Sequence, residues 1–260
     1  MRILLIRHGD PDYDNDTLTE KGRREAALLA EAAPYMNLWT CFVSPLGRAQ
    51  DTAAYSLKKI GRTAETIDWL EEFSGQIDLN RHPEMEKAYQ NVRRLEDGSY
   101  APRGVWDMLP SYWTEQPEYF DREKWRESEI TRYTNVIEKY DWVTGGLDAF
   151  LADHGYVRER NHYRAERAST ETVTFFCHFG VTCVILSHLL NMSPFVLWHG
   201  LALAPTSVTA VVTEERQRGI DSFRGLRVGD FARLCLGPHP RRFAARVPEA
   251  YGAARTSPLR

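Results

Sequence analysis

The sequence predicts an α/β protein built on a parallel sheet, and three observations lead there. The first is the continuous apolar run Ile3 to Ile6, too short for a helix and therefore read as a buried strand. The second is the change of period that follows. Thr19 stands as an N-cap, and Ala26, Ala27, Leu28 and Ala30 sit among charged residues as an amphipathic helix ending near Pro34. The third is repetition: Trp39 to Val43 makes a second short apolar run, and a helix beginning near Leu46 carries Ala49, Ala53 and Leu57 before Gly61 stops it. Strand, helix, strand, helix is the order of a parallel α/β sheet.

That order breaks after Phe73. Residues 74 to 128 hold prolines at 83, 102, 110 and 117 together with Trp106, Trp113 and Trp125, and show only fragments of periodicity. They read as an insertion. From Glu129 to about Asp153 the pattern is helical again, with Gly155 as a left-handed C-cap. Thr172 to Cys177 then reads as a buried strand, Val181 to Leu190 as an apolar helix and Ser207 to Val212 as a β-branched strand. A single domain over 1–260 is expected: a core of about 1–73 and 171–237, a cap insertion of about 74–170, and an arginine-bearing C-terminal tail of about 238–260 that reads as a solvated segment.

At 260 residues, 43% hydrophobic and 27% charged, the chain has the composition of a soluble globular protein. A net charge of -3 provides no basic field, so neither nucleic acid nor an anionic membrane is an expected partner. Cys41, Cys177, Cys183 and Cys235 lack close metal-ligand spacing and read as reduced thiols, which fits a cytoplasmic setting. Met1 to Ile6 is too short for a signal-peptide core, and Val173 to Leu190 is interrupted by His178, Gly180 and His188, so neither is expected to insert in a membrane.

Ligands in an open parallel sheet sit beyond the carboxyl ends of the strands, and four such places carry chemistry. Arg7-His8-Gly9 follows the first strand: an imidazole can attack phosphorus, a guanidinium can grip two phosphate oxygens, and glycine lets the backbone turn. In Ser44 to Ala53, Arg48 falls in the first turn of a helix, where free N–H groups already favour an anion. His178-Phe179-Gly180 occupies another strand-to-helix junction. The pair Glu71-Glu72 follows the Ile67 region, and a carboxyl among apolar neighbours can keep a proton for a leaving oxygen. Two adjacent acids on a strand cannot both face inward. Taken singly, each signal has a bland counterpart: a surface arginine, or a hydrogen-bonded core histidine.

Together, Arg7-His8-Gly9, the Ser-Pro-x-x-Arg-Ala-x-x-Thr-Ala pattern at 44–53, Leu-x-Glu at 70–72, and His178 with Gly180 resemble the histidine phosphatase superfamily, the group that includes the phosphoglycerate mutases. The matching segments lie within about 1–73 and 172–213. The resemblance implies a three-layer α/β/α sandwich with a mostly parallel sheet and an inserted cap over the site. It implies His8 as nucleophile, Arg7 and Arg48 as phosphate clamps, His178 as a further donor to the phosphoryl group and Glu72 as acid. Counting back from Gly75 instead favours Glu71. The chain departs from the family after Gly9: Asp10 to Asn15 replaces the usual residues, with Asn15 one position from the family asparagine, and Phe179 stands where glycine often follows the second histidine.

The function this implies is hydrolysis of a small phosphorylated metabolite through a phosphohistidine, with no metal or other cofactor. The alternatives are a phosphoglycerate-type mutase, for which Arg93-Arg94 is the one adjacent basic pair in the insertion, and a non-catalytic phospho-ligand-binding module. The aromatic segment around Trp106 and Trp113 is read either as an anchor for the insertion or as an apolar wall of the pocket.

Overall fold

The computed structural model describes residues 1–167 and 169–231. Its main sheet has eight strands: β1 (Arg2–Arg7), β2 (Thr40–Val43), β3 (Glu65–Thr66), β4 (Tyr156–Glu159), β5 (His162–Ala165), β6 (Thr172–Cys177), β7 (Val208–Gln217) and β8 (Ile220–Asp230). They are ordered β3-β2-β6-β1-β7-β8-β5-β4. The first four are mutually parallel, and every pairing from β1–β7 onward is antiparallel. The sheet is thus mixed, with its parallel part at the core.

Side-chain alternation along β1 makes the layers. Ile3 and Leu5 pack into the large cluster with Val181, Val184 and Leu147, while Leu4 and Ile6 pack with Leu29, Ala49 and Ala53 on the opposite face. All four are at most 4% exposed, which contributes roughly 1.5–3 kcal/mol for each side chain. Helices α1 (Glu20–Ala32) and α2 (Gly47–Ile60) therefore cover one face, and α4 (Val136–Asp153) and α5 (Phe179–Leu190) the other; α3 (Pro110–Trp113) and α6 (Pro194–Gly200) are short.

Several local expectations recur as geometry. The Thr19 hydroxyl accepts the Gly22 N–H at 3.0 Å, and Gly61 ends α2 with φ +64°. The third helix differs: Glu129–Arg132 is a separate 3-10 turn, α4 begins at Val136, and Gly155 follows the cap residue His154 with φ +90°.

Of the stretch 74–170 expected as cap, β4 and β5 are strands of the main sheet, and α4 packs against α5 and β4. The segment set apart from the sheet is 74–135, a series of short turns holding buried Tyr119, Trp125 and Ile130. The expected tail 238–260, the end of the expected core at 232–237, and Cys235 lie outside the described residues. Cys41, Cys177 and Cys183 are buried free thiols. Among the described residues no helix is long and apolar enough to cross a membrane.

Candidate active site

Parallel pairing of β1 with β6 sets Arg7 opposite Cys177, so the residues that leave the two strands, His8 and His178, emerge side by side. Their ring centroids are 5.0 Å apart and tilted by 57°. His8 Nδ1 lies 2.7 Å from the carbonyl oxygen of Gly9. A carbonyl only accepts, so Nδ1 carries the hydrogen and Nε2 keeps its lone pair. Burial, reinforced by the neighbouring Arg7 charge, lowers the His8 pKa to about 3, and the ring is neutral at physiological pH. The turn is fixed from behind: Gly9 N–H donates to Thr52 Oγ1 at 2.9 Å, and a Cβ on Gly9 would stand 2.8 Å from the Gly22 carbonyl oxygen.

His178 is also buried, and its pKa is driven well below the usual imidazole range, first by desolvation and then by His8 and the two arginines. Its Nε2 lies 2.7 Å from Ser44 Oγ, which already accepts the Leu46 N–H at 3.2 Å. The serine hydrogen is free to point at Nε2, which leaves the ring hydrogen on Nδ1. That Nδ1 is buried and has no partner among the described residues, and the same is true of Arg7 Nε and Arg48 Nε. A buried donor without an acceptor costs about 1–3 kcal/mol, so three of them on neighbouring site residues suit an anionic ligand.

The remaining donors are partly engaged. A terminal nitrogen of Arg7 donates to the Leu203 carbonyl, and its guanidinium lies 5.8 Å from the Phe179 ring centre. Arg48, 8% exposed in the first turn of α2, donates from Nη1 to Asp16 Oδ1 at 2.6 Å. The backbone of Thr206 donates to the carbonyls of both Arg7 and His8, tying the β1 exit to the loop before β7.

The two candidate acids part company. Neither is on a strand: the 3-10 turn Asp68–Leu70 precedes them, and Glu71 is its cap. Glu71 faces Lys139 of α4 at 3.0 Å. Glu72 turns to the start of α5, where Oε1 accepts N–H groups from Gly180 at 2.8 Å, Phe73 at 2.9 Å and Val181 at 3.3 Å. Desolvation raises its pKa despite the opposing charge of Arg7 and these N–H groups. The geometry therefore brings Glu72, and not Glu71, to the residues around His8.

The loop after Gly9 corrects one expectation. Asn15 does not substitute for the family asparagine at the site: it is exposed, and its amide donates to Asp12 at 2.9 Å. Asp16 is the residue that reaches Arg48, and its Oδ2 also takes the Gly47 N–H at 2.6 Å. Asp16 does not stand out in the sequence as a site residue, because a carboxylate in a loop has ordinary structural uses, and Ser44, though it opens the motif at 44–53, is given no role by the sequence.

Trp106 packs against Phe73, Phe179 and Trp198 at 6.1–6.4 Å between centroids, beside the start of α5, whereas Trp113 stacks on Phe120 and His199. Among the described residues no group of three or more His, Cys, Asp or Glu is placed to hold a metal ion.

Residues 3–105 match the family model described as histidine phosphatase superfamily (branch 1). Solved structures share the fold. A phosphoserine phosphatase mutant from Entamoeba histolytica, in complex with phosphoserine, is 15% identical with a TM-score of 0.55, covering 90% of this chain and 98% of its own. A structure named mycobacterial hydrolase 1 is 17% identical with a TM-score of 0.52, covering 86% and 95%. A mycobacterial glucosyl-3-phosphoglycerate phosphatase with VO3 is 16% identical with a TM-score of 0.50, covering 86% and 96%. No curated protein matches the chain significantly. Over residues 3–105 the chain is thus similar to the histidine phosphatase superfamily, and its fold is shared with the phosphatases named above.

Proposed function

We propose that the protein is a phosphomonoester hydrolase that acts on a small phosphorylated metabolite through a phosphohistidine at His8. The observation that carries this reading is the His8 ring itself: neutral, with Nδ1 committed to Gly9 and Nε2 without a partner among the described residues, beside buried donors that have no acceptor among those residues. Nε2 attacks phosphorus in line with the leaving oxygen. Arg7, Arg48 and the Nδ1–H of His178 hold the equatorial oxygens, and fixed positive charge takes up the charge that develops there. Glu72, whose pKa burial raises, gives its proton to the leaving alcohol. Because Oε1 receives three backbone N–H groups, the proton sits on Oε2. The carboxylate so formed then takes a proton from the water that hydrolyses phosphohistidine, which returns both residues to their starting states. The side chains supply the charge and the proton, so the reaction as proposed needs no metal.

The test is to trap the phosphoenzyme with a labelled aryl phosphate in excess chelator and map the label. Label on His8 supports the mechanism. Label on Ser44, Cys177 or His178, or complete loss of turnover restored by a divalent cation, contradicts it. A screen of phosphorylated sugars, phosphoglycerates, nucleotides and phosphoserine then identifies the substrate and shows whether the phosphoryl group goes to water or to a second hydroxyl.

A further inference from the structure

The Asp16 carboxylate occupies the approach to an arginine that the proposed reaction assigns to phosphate. Its two oxygens make two bonds of 2.6 Å, from Arg48 Nη1 and from the first N–H of α2. These are the kinds of donor a phosphate uses: a guanidinium edge and a free helix N-terminal amide. The Asp16 side chain is 42% exposed and that of Arg48 is 10% exposed, so the carboxylate comes from the solvent side. Asp16 adopts φ +45°, a left-handed backbone open chiefly to Gly, Asn and Asp, which turns its side chain back onto α2. The loop is fastened at both ends. Asp10 bonds Thr19 and Lys21, and Thr17 bonds Asp51, while Tyr13, Asp14 and Asn15 between them are exposed.

We propose that Asp16 is a built-in competitor for the phosphate clamp, a carboxylate that neutralises Arg48 in the empty enzyme and yields Nη1 to the phosphoryl group of the substrate. Two anions on one guanidinium repel each other, so a phosphoryl group that docks on Arg48, whose Nε has no partner among the described residues, drives the carboxylate off Nη1. It returns as inorganic phosphate leaves. Asp16 therefore weakens the hold on the product and acts as a specificity-determining residue for the charge of the ligand. The inference rests on the proposed phosphate-binding role of Arg48.

Calorimetric titration with inorganic phosphate, at fixed ionic strength and neutral pH, tests it on the full chain. Asp16→Asn and Asp16→Gly both tolerate the left-handed backbone, so each is expected to fold. Each should bind inorganic phosphate about tenfold more tightly than wild type, the scale of removing one nearby charge from a partly exposed site. The gain should be absent in an Arg48→Gln background. Unchanged or weaker binding in both variants overturns the proposal, as does the same gain without Arg48, or failure of every form to bind inorganic phosphate. Tighter binding with no phosphohistidine at His8 would leave this inference standing and remove the proposed reaction. Phosphohistidine at His8 with unaltered phosphate affinity would do the reverse.

Discussion

Ser44 Oγ and His178 Nε2 lie 2.7 Å apart, and this contact determines which nitrogen of the second histidine bears hydrogen. Ser44 belongs to the loop after β2 and His178 to the end of β6, which are neighbours in the parallel part of the sheet. Ser44→Ala removes the hydroxyl that favours hydrogen on Nδ1. The expected result is a fall in kcat of about 10- to 100-fold on an aryl phosphate, in the range of losing one oriented donor in the transition state. Nitrogen NMR of the ring should show a shifted tautomer balance. Unchanged kcat together with an unchanged tautomer would refute the assignment.

Glu72 and Glu71 should separate kinetically. Glu72→Gln is expected to slow alkyl phosphates by about 100-fold or more and aryl phosphates much less, since an aryl oxygen leaves with little protonation. The loss of alkyl phosphatase activity as pH rises through the raised Glu72 pKa should disappear in the same variant. Glu71→Gln loses only a contact with Lys139 and should stay within about twofold of wild type. If Glu71→Gln is the more damaging change, the acid has been misassigned.

Gly180 provides a steric probe of the same carboxyl. A Cβ there would stand 2.8 Å from Glu72 Oε1, 3.0 Å from Phe73 Cβ and 3.1 Å from the Trp106 ring. Gly180→Ala should therefore displace Glu72 and reduce alkyl phosphate hydrolysis about as much as Glu72→Gln does. A crystal structure of the variant with Glu72 unmoved and activity intact would contradict the packing described.

Acid should destabilise the protein through its buried imidazoles. His8 titrates near pH 3 in the folded chain and near 6.5 in the unfolded chain. Between those values the unfolded chain holds a proton that the folded chain does not. Stability is therefore intact above pH 6.5 and falls on acidification, by up to about 1.4 kcal/mol per pH unit for this one group. His178 adds a loss of the same sign. Denaturant melts at pH 7, 6 and 5 should show a shallower decline for His8→Gln than for wild type, and parallel declines would count against a neutral, buried His8.

Much of this molecule is legible in its sequence, and the illegible parts share a cause. Ile3–Ile6, the Thr19 cap, the Gly61 stop and the strand Thr172–Cys177 announce themselves because local periodicity and local capping produce them. β8 does not: most of its residues from Ser222 to Val228 are exposed, so alternating burial does not mark that stretch, and its pairing partners are β7 and β5. β4 and β5 likewise exist through their pairing with β8 and each other. Of the candidate site residues, Arg7, His8, Arg48 and His178 are picked out by their places at the end of a strand, directly after one, or in the first turn of a helix. The choice of Glu72 over Glu71 depends on where α4 and α5 pack. Asp16 depends on a left-handed turn, for which Asp carries only a weak signal.

The adjacency of β1 and β6 has a consequence for how the protein comes into being. His8 and His178 are separated by about 170 residues of chain, yet their strands pair directly in parallel. Closing so long a loop is entropically costly and slow compared with forming local hairpins or helices. During synthesis, β1 therefore has no permanent neighbour on either side until β6 and β7 have left the ribosome, and its unpaired apolar edge needs shelter meanwhile. The two histidines therefore come together late, since no nascent fragment ending before Cys177 can set them side by side.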